Sequence, residues 1–172
     1  GPAGRRARML LGMAQIEMGA HLAGRDTLNA LLSSAGLANR GKLPEPGGAD
    51  PAEVRWWLAR GAIERGEPAA AVPVLEKIWT WNPTSPRATD AEVALKAQGI
   101  DVRDGTLGDG RSRIRERART LEKLRLYKEA LALIDPLPRR DTDPKTIRQM
   151  ATLTFRAKDY TAAVDWFAAI PS

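Results

Sequence analysis

Short alanine-rich stretches with apolar residues three and four apart alternate along the chain with clusters of glycine and proline. Runs of alternating β-branched residues, which would mark strands, are almost absent. The pattern predicts an all-α protein. Breaks are expected at Gly19 to Gly24, Gly36 to Asp50, Gly66-Glu67-Pro68, Asn82 to Pro86, Gly99 to Gly110, Pro136 to Asp143 and Lys158-Asp159. About nine helices of roughly 10 to 18 residues fit between them.

The apolar pattern repeats. Arg111 to Pro138 aligns with Pro144 to Pro171 at a shift of 33 residues, pairing Ile114 with Ile147, Ala118 with Ala151, Tyr127 with Tyr160, Ala130 with Ala163, Leu131 with Val164 and Ile134 with Phe167, followed by Leu137 with Ile170 and Pro138 with Pro171. In each unit a small residue, Ala118 or Ala151, sits where a second helix must come close. That second helix opens with tyrosine. A helical hairpin of this size cannot bury its apolar stripe alone and must stack on a neighbour. Ala52 to Ser85 fits the same template, with Leu58 and Ala59 on the first helix, a turn at Gly66-Glu67, and Ala71, Val72, Leu75 and Ile78 on the second.

These three copies resemble the tetratricopeptide (TPR) repeat, with a less regular helical pair from Ala3 to Ala35 before them. They depart from its pattern in places. Pro68 holds the usual aromatic place, Arg125 and Lys158 replace the turn glycine, and Pro136 cuts the second helix of the middle copy short. The resemblance implies a right-handed α-solenoid, one continuous domain with an N-terminal helical pair and linker at 1–50. Repeats follow at 52–85, 111–143 and 144–172, and an extra helix (Ala88 to Gln98) and glycine-rich loop occupy 86–110.

A narrower resemblance comes from segment order. Ile78-Trp79-Thr80-Trp81-Asn82-Pro83 through Ala88, an alanine-rich helix ending Leu95-Lys96-Ala97-Gln98-Gly99, a polar linker, and Arg117-Ala118-Arg119 through Leu131 resemble the α-superhelical region of bacterial soluble lytic murein transglycosylases. The likeness covers roughly residues 50 to 172. It implies a periplasmic, peptidoglycan-handling parent. The acid of that family is a glutamate followed by serine in a separate lysozyme-like domain, and this chain has no Glu-Ser dipeptide. The chain itself is therefore read as non-catalytic, while the parent protein's activity stays open.

Composition narrows the chemistry. With no cysteine and one histidine among 172 residues, disulfides, thiolate zinc sites and polyhistidine metal sites are excluded, and no cofactor is expected. No apolar run approaches the roughly 20 residues of a membrane span. Net charge is +6, from 27 basic and 21 acidic residues, which favours acidic partners. Glu64, Glu67, Asp141 and Asp143 stand beside arginines or in polar turns, unlike a glycosidic acid in a dry cleft. Gly105 to Gly110 lacks the ending of a phosphate loop and reads as a linker.

Five arginines at alternate positions, Arg111, Arg113, Arg115, Arg117 and Arg119, make either an anion-binding surface or a solvated helix flank around a buried stripe of Ile114, Ala118 and Leu121. Stacking aromatics are not interleaved with them, which argues against nucleic acid. In repeats of this kind the first helix of each hairpin lines a groove, so the TPR resemblance points to Glu53, Trp56, Arg60 and Ile63, then Arg115, Arg119 and Lys123, then Arg148, Thr152, Phe155 and Arg156. The expected ligand is an acidic peptide or partner protein, or peptidoglycan. A stand-alone adaptor, in the envelope or the cytoplasm, is the alternative to a transglycosylase fragment. Trp56 and Trp57 diverge by about 100° and Trp79 and Trp81 by about 200°, so one of each pair is expected to be partly exposed. Met9, Met13 and Met18 are read as core filler and His21 as a cap or surface residue. The stripe of Val164, Phe167 and Ile170 is expected to meet further protein or another subunit.

Overall fold

Proline sets where many of the helices begin. Its fixed φ suits the first helical position, where its missing N–H costs nothing. In the computed structural model, which describes residues 1–34, 36–39, 41–106, 109–135 and 143–170, Pro2, Pro51, Pro68, Pro86 and Pro144 each open a helix. Asp50, Ser85 and Asp143 cap three of these from the preceding position, accepting hydrogen bonds from backbone N–H groups. Among the described residues the chain is all-α, with nine helices and no strand: α1 (Pro2–Glu17), α2 (His21–Ser34), α3 (Pro51–Glu64), α4 (Pro68–Trp81), α5 (Pro86–Ala97), α6 (Gly110–Lys123), α7 (Tyr127–Ile134), α8 (Pro144–Arg156) and α9 (Tyr160–Ala168).

One turn recurs in four hairpins. Gly19 (φ 81°), Gly66 (φ 77°), Arg125 (φ 61°) and Lys158 (φ 64°) each take the left-handed conformation that ends a helix. The next residue's N–H then bonds back five residues, as in Ala20 to Gln15 (2.8 Å), Glu67 to Ala62, Leu126 to Leu121 and Asp159 to Thr154 (each 2.9 Å). Counting from this turn aligns the hairpins α1–α2, α3–α4, α6–α7 and α8–α9. Seven positions before it stand Gly12, Ala59, Ala118 and Ala151; five after it stand Gly24, Ala71, Ala130 and Ala163. All eight are buried. Absence of bulk at these two positions lets the helices of each pair approach closely.

The chain divides into two compact units, Gly1–Asp101 and Val102–Ser172. The first holds α1 to α5. Met9, Ile16, Leu28, Leu31, Leu37, Ala49, Val54 and Trp57 form one buried cluster there, and Ile16 reaches across to Gly61 on α3. Helix α5 stands outside the hairpin pattern and packs on α3 and α4 through Ala88, Ala91 and Leu95. The second unit holds α6 to α9, with Ile114, Ala118, Leu121, Ala130, Ile134, Met150, Leu153 and Ala163 buried. Gly110 opens α6 against the carbonyl oxygen of Asp104, a space that a Cβ would fill. The expected insert 86–110 thus divides between the units, its helix in the first and Val102 onward in the second.

Several expectations need correction. The break foreseen at Gly19 to Gly24 ends at Ala20, because Gly24 lies inside α2, its backbone against Gly12. Helices α7 and α9 have eight and nine residues, shorter than foreseen; α7 stops at Ile134, two residues before Pro136. Met18 follows α1 and is exposed, whereas Met9 is buried. Leu137, Pro138, Asp141 and Pro171 lie outside the described residues. No helix among the described residues is long and apolar enough to cross a membrane.

Candidate binding face

In the second unit, polar links tie the first helices of the two hairpins together. The Gln149 amide donates to the carbonyl of Arg115 (3.4 Å), the Arg115 guanidinium reaches Asp143 at 3.4 Å, and Arg156 pairs with Glu122. These contacts set α6 beside α8. Ile114, Ala118 and Leu121 turn inward, as the apolar spacing of α6 requires, so Arg119 and Lys123 are left on the outer flank. On α8, Met150, Leu153 and Thr154 turn inward and Arg148 and Phe155 outward. Arg119, Lys123 and Arg148 are exposed and have no ion-pair partner among the described residues. Phe155 is 55% exposed and meets the Tyr160 ring edge-on at 5.7 Å. The three cations on α6 and α8 can attract carboxylates, and the exposed aromatic pair offers an apolar anchor point.

Arg115 and Arg156, expected in the same groove, have structural partners. Asp143 accepts from the Thr146 hydroxyl and from the N–H groups of Lys145 and Thr146 while facing Arg115. Burial raises its carboxyl, but the Thr146 hydrogen bonds and the Arg115 charge outweigh that and bring it below the ordinary range. The Arg156 guanidinium lies over the Tyr127 ring at 5.8 Å as well as against Glu122. Arg111, Arg113 and Arg117 are likewise engaged. The arginine run is therefore mostly a set of pairings, with Arg119 its free member among the described residues.

Of the groove residues expected in the first unit, Glu53, Trp56 and Arg60 are engaged by charge pairs, and Ile63 is exposed. Arg87 makes a two-pronged contact with Glu53 (2.7 and 2.8 Å), reaches Asp90 at 2.8 Å, and covers the Trp56 ring at 5.0 Å. Its hydrogen bonds to Glu53 raise the Arg87 guanidinium and hold the Glu53 carboxyl below its ordinary range. Arg60 takes Glu64 at 2.7 Å and Glu17 at 2.8 Å, with its guanidinium 4.5 Å above the Trp57 ring. Trp56 and Arg60 are thus part of a network joining α1, α3 and α5. Glu64 faces His21 Nδ1 at 3.6 Å, and Glu67, held by Arg65, is lowered by that hydrogen bond. Glu67 and Asp143 are thereby favoured as carboxylates, the reverse of what a general acid requires. Trp57 and Trp79 are buried and Trp56 and Trp81 partly covered, the division expected from helix geometry.

Sequence reasoning missed Arg55. It is buried, donates to Asn82 Oδ1 and to the carbonyl of Leu37 (3.1 Å each), and lies 5.2 Å from the Trp81 ring centre. Asn82 in turn donates to the carbonyl of Lys42 at 3.3 Å. Burial pushes the Arg55 guanidinium down to about 10 against the opposing charge of Asp50. This group fastens the segment between α2 and α3 onto the end of α4. The only signal for it was a charged residue on the apolar side of α3, between Val54 and Trp57.

No family model matches the chain, and no curated protein matches it. Among solved structures, it is similar to the nearly identical TPR-like repeats of a Podosopora anserina kinesin light chain, at 14% identity and a TM-score of 0.43, over 99% of this chain and 94% of that one.

Proposed function

We propose that the chain is a non-catalytic binding scaffold whose face on α6 and α8 takes an acidic peptide segment of a partner protein. The supporting observation is that Arg119 and Lys123 on α6 and Arg148 on α8 are exposed and without carboxylate partners among the described residues, and that Phe155 on α8 is exposed as well. In a chain whose other cations are so often paired, these three supply the attraction, and the aromatic supplies a place for an apolar residue of the ligand. The first-unit residues Trp56 and Arg60 serve folding in this reading.

A second, narrower reading places the protein in the periplasm as part of a murein-processing protein. It rests on the order of segments from Ile78 through Leu131, in which the solitary helix α5 stands between a tryptophan-rich helix end and the arginine-rich first helix of the next hairpin.

One set of titrations addresses both. Fluorescence anisotropy with a labelled glutamate- and leucine-containing peptide should show binding that weakens with salt. Together, Arg119→Ala, Lys123→Ala and Arg148→Ala should weaken it about tenfold and flatten the salt dependence. Phe155→Ala should weaken binding and leave that dependence unchanged. Unchanged affinity in the triple variant would reject the face. Cosedimentation with purified murein sacculi, run in parallel, supports the second reading if the chain pellets and rejects it if the chain stays in solution.

A further inference from the structure

Two of the cations expected in the second unit's groove are paired with carboxylates, and the two pairs differ in kind. The Arg115 side chain is 16% exposed, and its partner Asp143 is also the cap of α8, tied to Lys145 and Thr146. That pair belongs to the fold. The Arg156 side chain is 47% exposed and its partner Glu122 only 19%, so the cation is the more open member. Their contact joins the last residue of α8 to the last turn of α6. The Arg156 guanidinium also rests over the Tyr127 ring at 5.8 Å, a contact that would keep it in place with Glu122 removed. Glu122 stands three residues after Arg119 and next to Lys123, a carboxylate set among the cations that a ligand carboxylate would seek.

We infer that Glu122 is an internal competitor for the ligand of the α6 and α8 face, holding Arg156 where a carboxylate of the acidic peptide would otherwise pair with it. The inference rests on the peptide-binding reading and adds to it a residue that sets selectivity. An ion pair this open to water is weak enough for a ligand carboxylate to replace. Exchanging one carboxylate for another on the same guanidinium gains little, so Arg156 adds almost nothing to binding while Glu122 is in place. Attraction then falls to Arg119, Lys123 and Arg148, the exposed cations without carboxylate partners among the described residues. A segment rich in carboxylates can engage all three, whereas a sparsely acidic one lacks the fourth contact that Arg156 would have supplied. Glu122 thereby raises the charge that a segment needs in order to bind, a case of selectivity obtained by disfavouring the weaker ligand.

Fluorescence anisotropy with the labelled glutamate- and leucine-containing peptide tests it at about 0.15 M salt, where exposed charges more than about 8 Å apart are largely screened from one another. Glu122→Gln, which removes the charge and keeps the shape, should tighten binding about three- to fivefold. Glu122→Ala provides a second neutral variant, and circular dichroism checks the helix content of each. Adding Arg156→Gln to Glu122→Gln should abolish the gain. Glu129→Gln removes an exposed carboxylate on α7 and makes the same change in net charge, so it should leave affinity within about twofold of the wild type. Should the wild-type chain bind the peptide while Glu122→Gln brings no tightening, or while Glu129→Gln brings an equal gain, the inference is overturned and the face stands. A peptide that binds neither the wild type nor Glu122→Gln overturns the face, and the inference with it.

Discussion

At Arg125 and Lys158 the backbone takes a conformation that side chains oppose. Both stand where the first-unit hairpins have glycine, at φ values of 61° and 64°. A Cβ in the left-handed region costs roughly 1–2 kcal/mol, of which glycine's greater freedom in the unfolded chain returns about half. Arg125→Gly and Lys158→Gly should therefore each stabilise the protein by about 0.5–1 kcal/mol in urea unfolding. Gly66→Ala should cost about 1–2 kcal/mol. The alignment that identified these two residues as replacements for a glycine also located the strain, because the turn geometry was retained while the residue type changed. Arg55 shows the opposite case. Its burial depends on Leu37, Asn82 and Trp81, residues up to 27 positions away, and no local pattern gathers them.

Between elements, close approach decides the packing. A Cβ on Gly24 would stand 2.6 Å from Ile16 Cγ1 and 2.9 Å from the Gly12 carbonyl oxygen. Gly24→Ala should thus cost about 1–3 kcal/mol through the separation of α1 from α2, more than the roughly 1 kcal/mol that alanine gains in a helix interior. Gly4→Ala, in the same helix pair with nothing within 4 Å, should be neutral or mildly stabilising. Thermal melts of the two variants separate packing from propensity. Where the close-approach residue is alanine, as in the other three hairpins, the helical pattern stays continuous and the elements could be read from the sequence. Where it is glycine, the same small residue resembles a break, and the start of α2 was misplaced for that reason. The groove was only partly legible for a related cause. Helix periodicity shows which residues leave the core, but Glu17, which claims Arg60, and Asp143, which claims Arg115, come from distant parts of the chain.

At the scale of the molecule, several cations are matched with carboxylates in each unit, and this ties stability to pH. The Glu53 carboxyl lies below its ordinary value of 4.5, chiefly through its hydrogen bonds from Arg87. Its charged form is the one the fold favours, so its contribution is complete above 4.5 and is lost as pH falls below that value. Melting temperature should drop as pH is taken from about 6 to about 3, and Glu53→Gln should start lower and flatten part of that drop. Helix α5 carries a different consequence. It covers α3 and α4 with Ala88, Ala91 and Leu95, so that hairpin is packed from within Gly1–Asp101. On the ribosome α5 emerges after α1 to α4 and before α6 to α9, so the earlier unit can settle while the later hairpins are still being synthesised.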